Sequence, residues 1–339
     1  MSADAIVVGT GICGASAAHF LAERGLEVQV VDRGGISRAT TGLGEGNVLV
    51  SDKLPGVERE LATLGRELWG ELGRRFPAAR VTRKGALVLD HPDGTESGDL
   101  EPALAPGIRC VHEPDELQVD PAGLARAMLE PLSVMTDTEV IAADTGSVTL
   151  ADGTRVSARH VILATGPWAA ALTGLPVEPR KGQLVALAAP RALIHHKLFE
   201  AAYIDAAASA DKRRVIATVI EQTLDGDEVL IGSSRERVGF DARIDEQLTR
   251  AMIERAARFV PAVRQLPIRR TWCGFRAWLP DGLPAVGQIR DRLWTSCGHE
   301  GSGVGLGPLC GLMLAQLITG QPPVYDPAPI DPRRFAPGG

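Results

Sequence analysis

Two stretches of the chain gather residues whose types and spacing could do chemistry. The first, "WCGFRAWLPDGLPAVG" at 272–287, sets Arg276 among Trp272, Phe275 and Trp278. A guanidinium in that company either lies over the rings as a surface cation or waits for an anion, because its planar fork of donors fits a carboxylate at two points. The second, "AIVVGTGICGASAAHFLAERGLEVQVVD" at 5–32, spaces Gly9, Gly11 and Gly14 as G-x-G-x-x-G and closes on Asp32. Gly9 permits a tight turn, Gly11 lets backbone approach a pyrophosphate, and Gly14 lets a helix pack on a strand. The helix start presents free N–H groups to the phosphates, and Asp32 can accept hydrogen bonds from a ribose. Strand, glycines, helix, strand and acid in order within one βαβ unit point to dinucleotide binding rather than to a merely structural turn. Asp32 argues against a 2′-phosphate, hence against NADP, and leaves NAD and FAD both open.

The elements that must position these residues are legible in outline. Ala5 to Val8 is an apolar run suited to a parallel strand buried on both faces, and "EVQVVD" is a second strand ending in Asp32. "ISRATTGLGEGNVLVSDK", 36–53, is a polar, glycine-rich loop of the kind that carries function. Leu54, Val57, Leu61, Leu64, Leu68, Leu72 and Phe76 recur at helical spacing up to Arg74, Arg75 and Pro77. "DPAGLARAML" opens a helix, "SVTLADGTRVS" is a hairpin, and "HVILATGPWA" is a buried strand entering a loop. Between 180 and about 240 the pattern is strand-rich, with "GQLVALA", "AAYIDA", "RVIATVIEQ" and "EVLIGSS". Residues 243–260 form a helix with Ile244, Leu248, Ile253, Ala256 and Val260 inward. The fold class is α/β: a discontinuous Rossmann-type nucleotide domain from 1–50, 120–178 and 270–339, and a mainly antiparallel-sheet domain from 51–119 and 179–269.

Composition narrows the partners. The chain has 339 residues, is 45% hydrophobic and 23% charged, and carries a net charge of −6, which disfavours nucleic acid and anionic membranes. Five separated cysteines with no C-x-x-C argue against zinc and iron–sulfur sites and suggest the reduced thiols of a cytoplasmic protein. The start "MSADAIVVGTG" shows no signal-peptide pattern, and "GVGLGPLCGLMLAQLITG", 303–320, reads as a buried helix rather than a membrane span. Adjacent His195 and His196 point in different directions if extended, so no metal site is expected.

The ordered set of motifs resembles the D-amino-acid oxidase-like FAD-dependent oxidoreductases. The motifs are "VVGTGICGASAAHFLAERG" with Asp32, "DPAGLARAML", "ILATGPWA", "RKGQLVAL", "EVLIGSSRERVGFD", "GFRAWLPDGLPAVG" and "CGHEGSGVGLGPLCG". "EVLIGSSRERVGFD" is most similar to amino-acid dehydrogenase subunits of the hydrogen cyanide synthase and opine oxidase kind. The resemblance implies that Gly9, Gly11 and Gly14 hold the FAD pyrophosphate and Asp32 the ribose, with Ile12, Cys13, Arg33 and Trp168 also at the cofactor. It places Thr40, Thr41, Gly46, Asn47 and Val48 beside pyrophosphate and flavin, Val140 at the adenine, and Thr165 and Gly166 along the cofactor. Gly301, Ser302, Gly303, Val304, Gly305 and Leu306 would bring backbone N–H groups to the flavin's pyrimidine edge.

The same resemblance implies that Arg276 grips a substrate carboxylate. His299 would orient substrate or cap a helix, Glu300 would pair with a substrate amine or lie in solvent, and Tyr203 would face the site from a middle strand. The implied reaction is oxidation of a C–N bond in a small amino acid or secondary amine, by hydride transfer to flavin N5, giving an imine that hydrolyses. Three departures stand out. The segment after "GALVLD" is short, Glu300 stands where glycine oxidase has an arginine, and Cys297 and Cys310 lie outside a flavin-linking motif, so non-covalent FAD is expected. The alternatives are a flavin-bearing subunit of a multi-component amino-acid dehydrogenase complex, with an electron-transfer partner subunit, and an NAD-dependent dehydrogenase.

Overall fold

The computed structural model describes residues 3–96, 99–203 and 214–336. A six-stranded sheet runs in the order Ala285–Arg290, Leu293–Cys297, His160–Leu163, Ala5–Val8, Val28–Val31, Ser133–Met135. All its pairings are parallel except at the edge, where Ala285–Arg290 runs against Leu293–Cys297. Ala5–Val8 is buried along its whole length, as a central strand covered on both faces must be.

Two helices cover one face. Ile12–Ala22 packs on Gly303–Ile318, and glycines let their backbones close up. A Cβ at Gly311 would sit 2.6 Å from the Ala17 nitrogen. The window of helix apolar enough to cross a membrane, within Glu300–Ile318, is 61% buried inside the protein.

The helix Val57–Arg75 joins this same core through Leu61, Ala62, Trp69 and Leu72, and Trp69 Nε1 donates to the Val304 carbonyl at 2.9 Å. Its apolar stripe thus seals against the six-stranded unit, although the sequence reading drew it with the second region.

The second sheet has eight strands, in the order Ile268–Trp278, Glu178–Ala188, Glu228–Arg235, Val215–Gln222, Lys197–Glu200, Ala86–Leu89, Arg109–Glu113, Thr95–Glu96. It is antiparallel except where Lys197–Glu200 runs parallel to Ala86–Leu89. The strand carrying Arg276 therefore belongs to this sheet, pairing with Glu178–Ala188 in a register that sets Arg276 opposite Arg180.

Two readings need correction. Tyr203 sits in a helical turn after the strand Lys197–Glu200, so "AAYIDA" is not a strand at 201–203, and its remainder lies outside the described residues. The helix expected at 243–260 spans Glu246–Ala256, because the Asp245 carboxylate accepts from the Gln247 and Leu248 amides and caps it there. Ile244 is thereby left outside and exposed, and Leu248, Met252 and Ala256 form the buried stripe.

Candidate active site

A cavity of about 1400 Å³ runs from the G-x-G-x-x-G turn to the strand of Arg276, larger than the roughly 300–1,000 Å³ of ordinary small-molecule pockets. Gly9 has φ +114°, and a Cβ there would lie 2.3 Å from the Ala164 carbonyl oxygen. A Cβ at Gly14 would lie 2.0 Å from the Gly9 oxygen, so Gly14 serves packing behind the wall and does not line the cavity. Asp32 lines it, with one carboxylate oxygen accepting from the Thr10 amide and hydroxyl, both at 2.7 Å, and the other from the Gly34 amide at 2.8 Å. A carboxylate offers about four acceptor sites, so capacity remains for a ligand.

Arg33 lies 3.8 Å over the Trp168 ring, and Trp168 stacks on Phe240. The Ile12 amide at the helix start is met by Thr41 Oγ1 at 3.0 Å, and Thr40 Oγ1 donates to the Phe275 carbonyl at 2.8 Å, tying the glycine-rich loop to both sheets. Gly11, Cys13, Gly46, Val140, Gly166 and residues 301–306 also line the cavity, whereas Val48 is buried behind Gly305. Thr165 Oγ1 and Asn47 Oδ1 are buried without a hydrogen-bond partner, and both residues are cavity walls.

The other end of the cavity is rich in charge. Arg276 lines it and donates to the Ser234 carbonyl at 3.2 Å. Among the described residues no carboxylate lies within 4.0 Å of its guanidinium. The aromatic rings of its own stretch are taken by other groups: Arg237 stacks on Trp278 at 3.6 Å, Arg270 on Trp272 at 4.5 Å, and Phe275 meets Phe240 edge-on at 5.3 Å. The reading of Arg276 as a cation lying over those rings is therefore not what the chain does.

Glu300 accepts at 3.4 Å from both Arg180 and Arg235 on one oxygen. Burial pushes its carboxyl up, but Arg235, Arg276 and Arg180 outweigh that and hold it below the usual range. Arg180 is lowered to about 10, chiefly by burial, with Glu300 opposing and Arg235 and Arg276 adding to the fall. Tyr203 lies under Arg235, 4.4 Å from ring centre to guanidinium carbon.

His299 is buried on the wall, near Ser296 Oγ at 3.4 Å and Cys13 Sγ at 3.8 Å. It precedes the short turn Glu300–Ser302 without making a side-chain cap bond. Burial lowers its pKa to about 4, so the ring is neutral near pH 7. Burial also pushes the Cys13 thiol up to about 12.

A second polar cluster joins the expected Asn47 and its loop neighbour Glu45 to Lys197 and Glu221, which sequence reasoning missed. Lys197 on the cavity wall pairs with Glu45 and lies 3.3 Å from Glu221, while Asn47 Nδ2 donates to Glu221 at 2.7 Å. Burial works against the Lys197 ammonium, but Glu221 and Glu45 hold it above the ordinary lysine range. Lys197 sits in an apolar strand with no motif around it, so nothing in the local sequence marks it. Arg235 was within reach, since it stands in the quoted "EVLIGSSRERVGFD".

Residues 4–317 match the family described as FAD dependent oxidoreductase. The chain belongs to that family. Its cofactor is accordingly FAD, and the glycine cradle, the free acceptor capacity of Asp32 and the orphaned Thr165 and Asn47 oxygens fit such a group. A glycine oxidase of Pseudomonas aeruginosa is 28% identical over 381 aligned positions, covering 98% of this chain and 99% of that protein. Hydrogen cyanide synthase subunit HcnC of the same species is 28% identical over 304 positions, covering 84% of this chain and 62% of that one. The crystal structure of glycine oxidase from Geobacillus kaustophilus superposes with a TM-score of 0.86 at 25% identity, covering 99% of this chain and 100% of that one. The chain is thus an enzyme, an FAD-dependent oxidoreductase of the amino acid and amine type.

Proposed function

We propose that the enzyme oxidises the C–N bond of a small amino acid or secondary amine whose carboxylate is held by Arg276. The observation that carries this is a cavity-lining guanidinium without a carboxylate partner among the described residues, beside arginines that have one. Similarity to the P. aeruginosa glycine oxidase supports the substrate class. Bound FAD supplies the electron acceptor.

The chain supplies the rest. The Gly9–Gly14 turn and the start of Ile12–Ala22 receive the pyrophosphate, Asp32 the ribose, and residues 301–306 the far end of the cofactor. Leu184, Phe199 and Val219 make an apolar wall that keeps water from the reacting carbon. Neutral His299 adds no positive charge beside a substrate amine that must lose its proton before it reacts.

Arg276→Ala should keep fold and flavin and lower kcat/KM for a carboxylate substrate by about 30- to 4,000-fold, the roughly 2–5 kcal/mol of a broken buried charge contact. Arg276→Lys should recover only part, since a point charge cannot reproduce the fork. The decarboxylated amine should be oxidised about equally poorly by wild type and Arg276→Ala. Equal damage to both substrates, or none to the acid, would make Arg276 structural.

Similarity to a hydrogen cyanide synthase subunit supports a second reading, in which electrons leave to a partner protein. Reduction of a dye should then outrun peroxide formation, and rapid stoichiometric peroxide from the isolated chain would exclude it.

A further inference from the structure

Two guanidiniums, those of Arg180 and Arg235, share one carboxylate, that of Glu300, whose charge Arg276 also feels without touching it. Arg180 and Arg235 are 1% and 2% exposed, and both reach the same Glu300 oxygen. Of the neighbouring cations Lys53 is held by carboxylates, whereas Arg237 meets Glu178 only loosely and has Nε and Nη2 buried without a hydrogen-bond partner. Arg237 lies 3.8 Å from Glu178, and Lys53 lies 2.9 Å from Asp52 and 4.0 Å from Glu58. Glu300 adopts φ +45°, a backbone setting rare for a residue with a Cβ, and it forms wall for both the main cavity and an annex of about 380 Å³. The annex is lined by charges of both signs, Asp52, Glu58 and Asp281 with Lys53 and Arg235.

We propose that Glu300 is a built-in counter-ion that sets substrate charge. Its carboxylate occupies the place a second substrate carboxylate would otherwise take on Arg180 and Arg235. The site accepts one carboxylate, on Arg276, and turns away a second. The inference rests on the reading of Arg276 above and narrows its substrate class to amines bearing a single negative charge. Removing the Glu300 charge would leave two buried guanidiniums without that counter-ion and open the wall to dicarboxylates.

Butanoate and succinate, which share a carbon skeleton and differ by one carboxylate, are suitable probes. They are titrated into flavin-loaded protein near neutral pH, followed by flavin absorbance and by the ligand-induced rise in Tm. Wild type should bind succinate about 10-fold or more weakly than butanoate, since like-charge juxtaposition is costly. Glu300→Gln should reverse that order. Glu300→Gln combined with Arg235→Met removes both charges of a pair and should abolish the succinate gain. That double variant and the wild-type comparison also decide the matter if Glu300→Gln alone does not fold.

Succinate binding to wild type as tightly as butanoate would overturn the proposal. So would a succinate gain that survives in the double variant, or failure of both ligands to bind. Arg276→Gln separates the two readings: butanoate binding that is unchanged there removes Arg276 as the anchor, whereas an unchanged succinate preference in Glu300→Gln removes only the role of Glu300.

Discussion

Asp32 joins the sequence motif to the cavity wall in a single side chain. It ends the strand Val28–Val31, and its carboxylate gathers the Thr10 amide and hydroxyl and the Gly34 amide, so it holds the turn it also helps form. Asp32→Ala should therefore weaken FAD by about 10- to 150-fold, the roughly 1.5–3 kcal/mol of a hydrogen bond to a charged group, and should lower the Tm of the FAD-free protein as well. Fluorescence titration of FAD and a melting scan without it check both effects, and an FAD-free Tm that does not move would mean the turn stands without its acceptor. Asp32 and the three glycines were legible because local backbone demands fix their types. From its own stretch Arg276 was legible as a cation among rings that either stacks on them or waits for an anion, and only the family resemblance favoured the anion. Which arginine stacks and which faces the cavity is decided by the pairing of Ile268–Trp278 with Glu178–Ala188, a tertiary fact that no local window contains.

At the scale of elements, the βαβ unit, the helices Val57–Arg75 and Pro121–Leu129 and most long strands follow from periodicity and turn residues. What did not follow is membership: Val57–Arg75 seals the nucleotide unit, and Ile268–Trp278 edges the other sheet. Amphipathic pattern says which face of an element is buried, not against what. The glycines of the helices show the consequence. A Cβ at Gly311 would lie 2.6 Å from the Ala17 nitrogen and 2.6–2.7 Å from Ser16 Cβ and carbonyl carbon, and that backbone cannot yield cheaply. Gly311→Ala should cost about 1–3 kcal/mol and loosen FAD, because it displaces the helix whose start lies at the cavity. Gly70, within Val57–Arg75, has nothing within 4 Å of a would-be Cβ, and Gly70→Ala should stabilise by about 0.5–1 kcal/mol. Chemical denaturation of the two variants should move their midpoints in opposite directions. A shared direction would mean that the close approach at Gly311 does not hold the helix pair together.

The whole molecule is acidic at −6 yet cations line both ends of one cavity, the exposed Arg33 and Arg38 beside the dinucleotide turn and the half-buried Arg276 at the other sheet. Net charge is thus a poor guide to what the cavity attracts; the placement of a few lining groups decides it. His299 stands where the two sheets meet, after the strand Leu293–Cys297 and next to the arginine-held Glu300. Burial lowers its pKa from the ordinary 6.5 to about 4, so the folded chain keeps it neutral where the unfolded chain would take a proton. Above the unfolded value the ring is neutral in both states and the protein keeps its full stability. As pH falls from 6.5 toward 4, the unfolded state binds more protons and stability is lost, by about 3 kcal/mol across the window, and the loss levels off below it. His19 and His160 are lowered in the same sense, so wild type alone cannot isolate His299. They remain in His299→Gln, and the difference between the two stability curves removes their share. Denaturation midpoints measured across that range, with FAD saturating, should fall more steeply in wild type than in His299→Gln. Flavin fluorescence should rise with the same pH dependence as the cofactor wall opens. Parallel curves for the two proteins would mean that the buried ring takes up its proton without unfolding, and that the junction of the sheets admits charge from solvent.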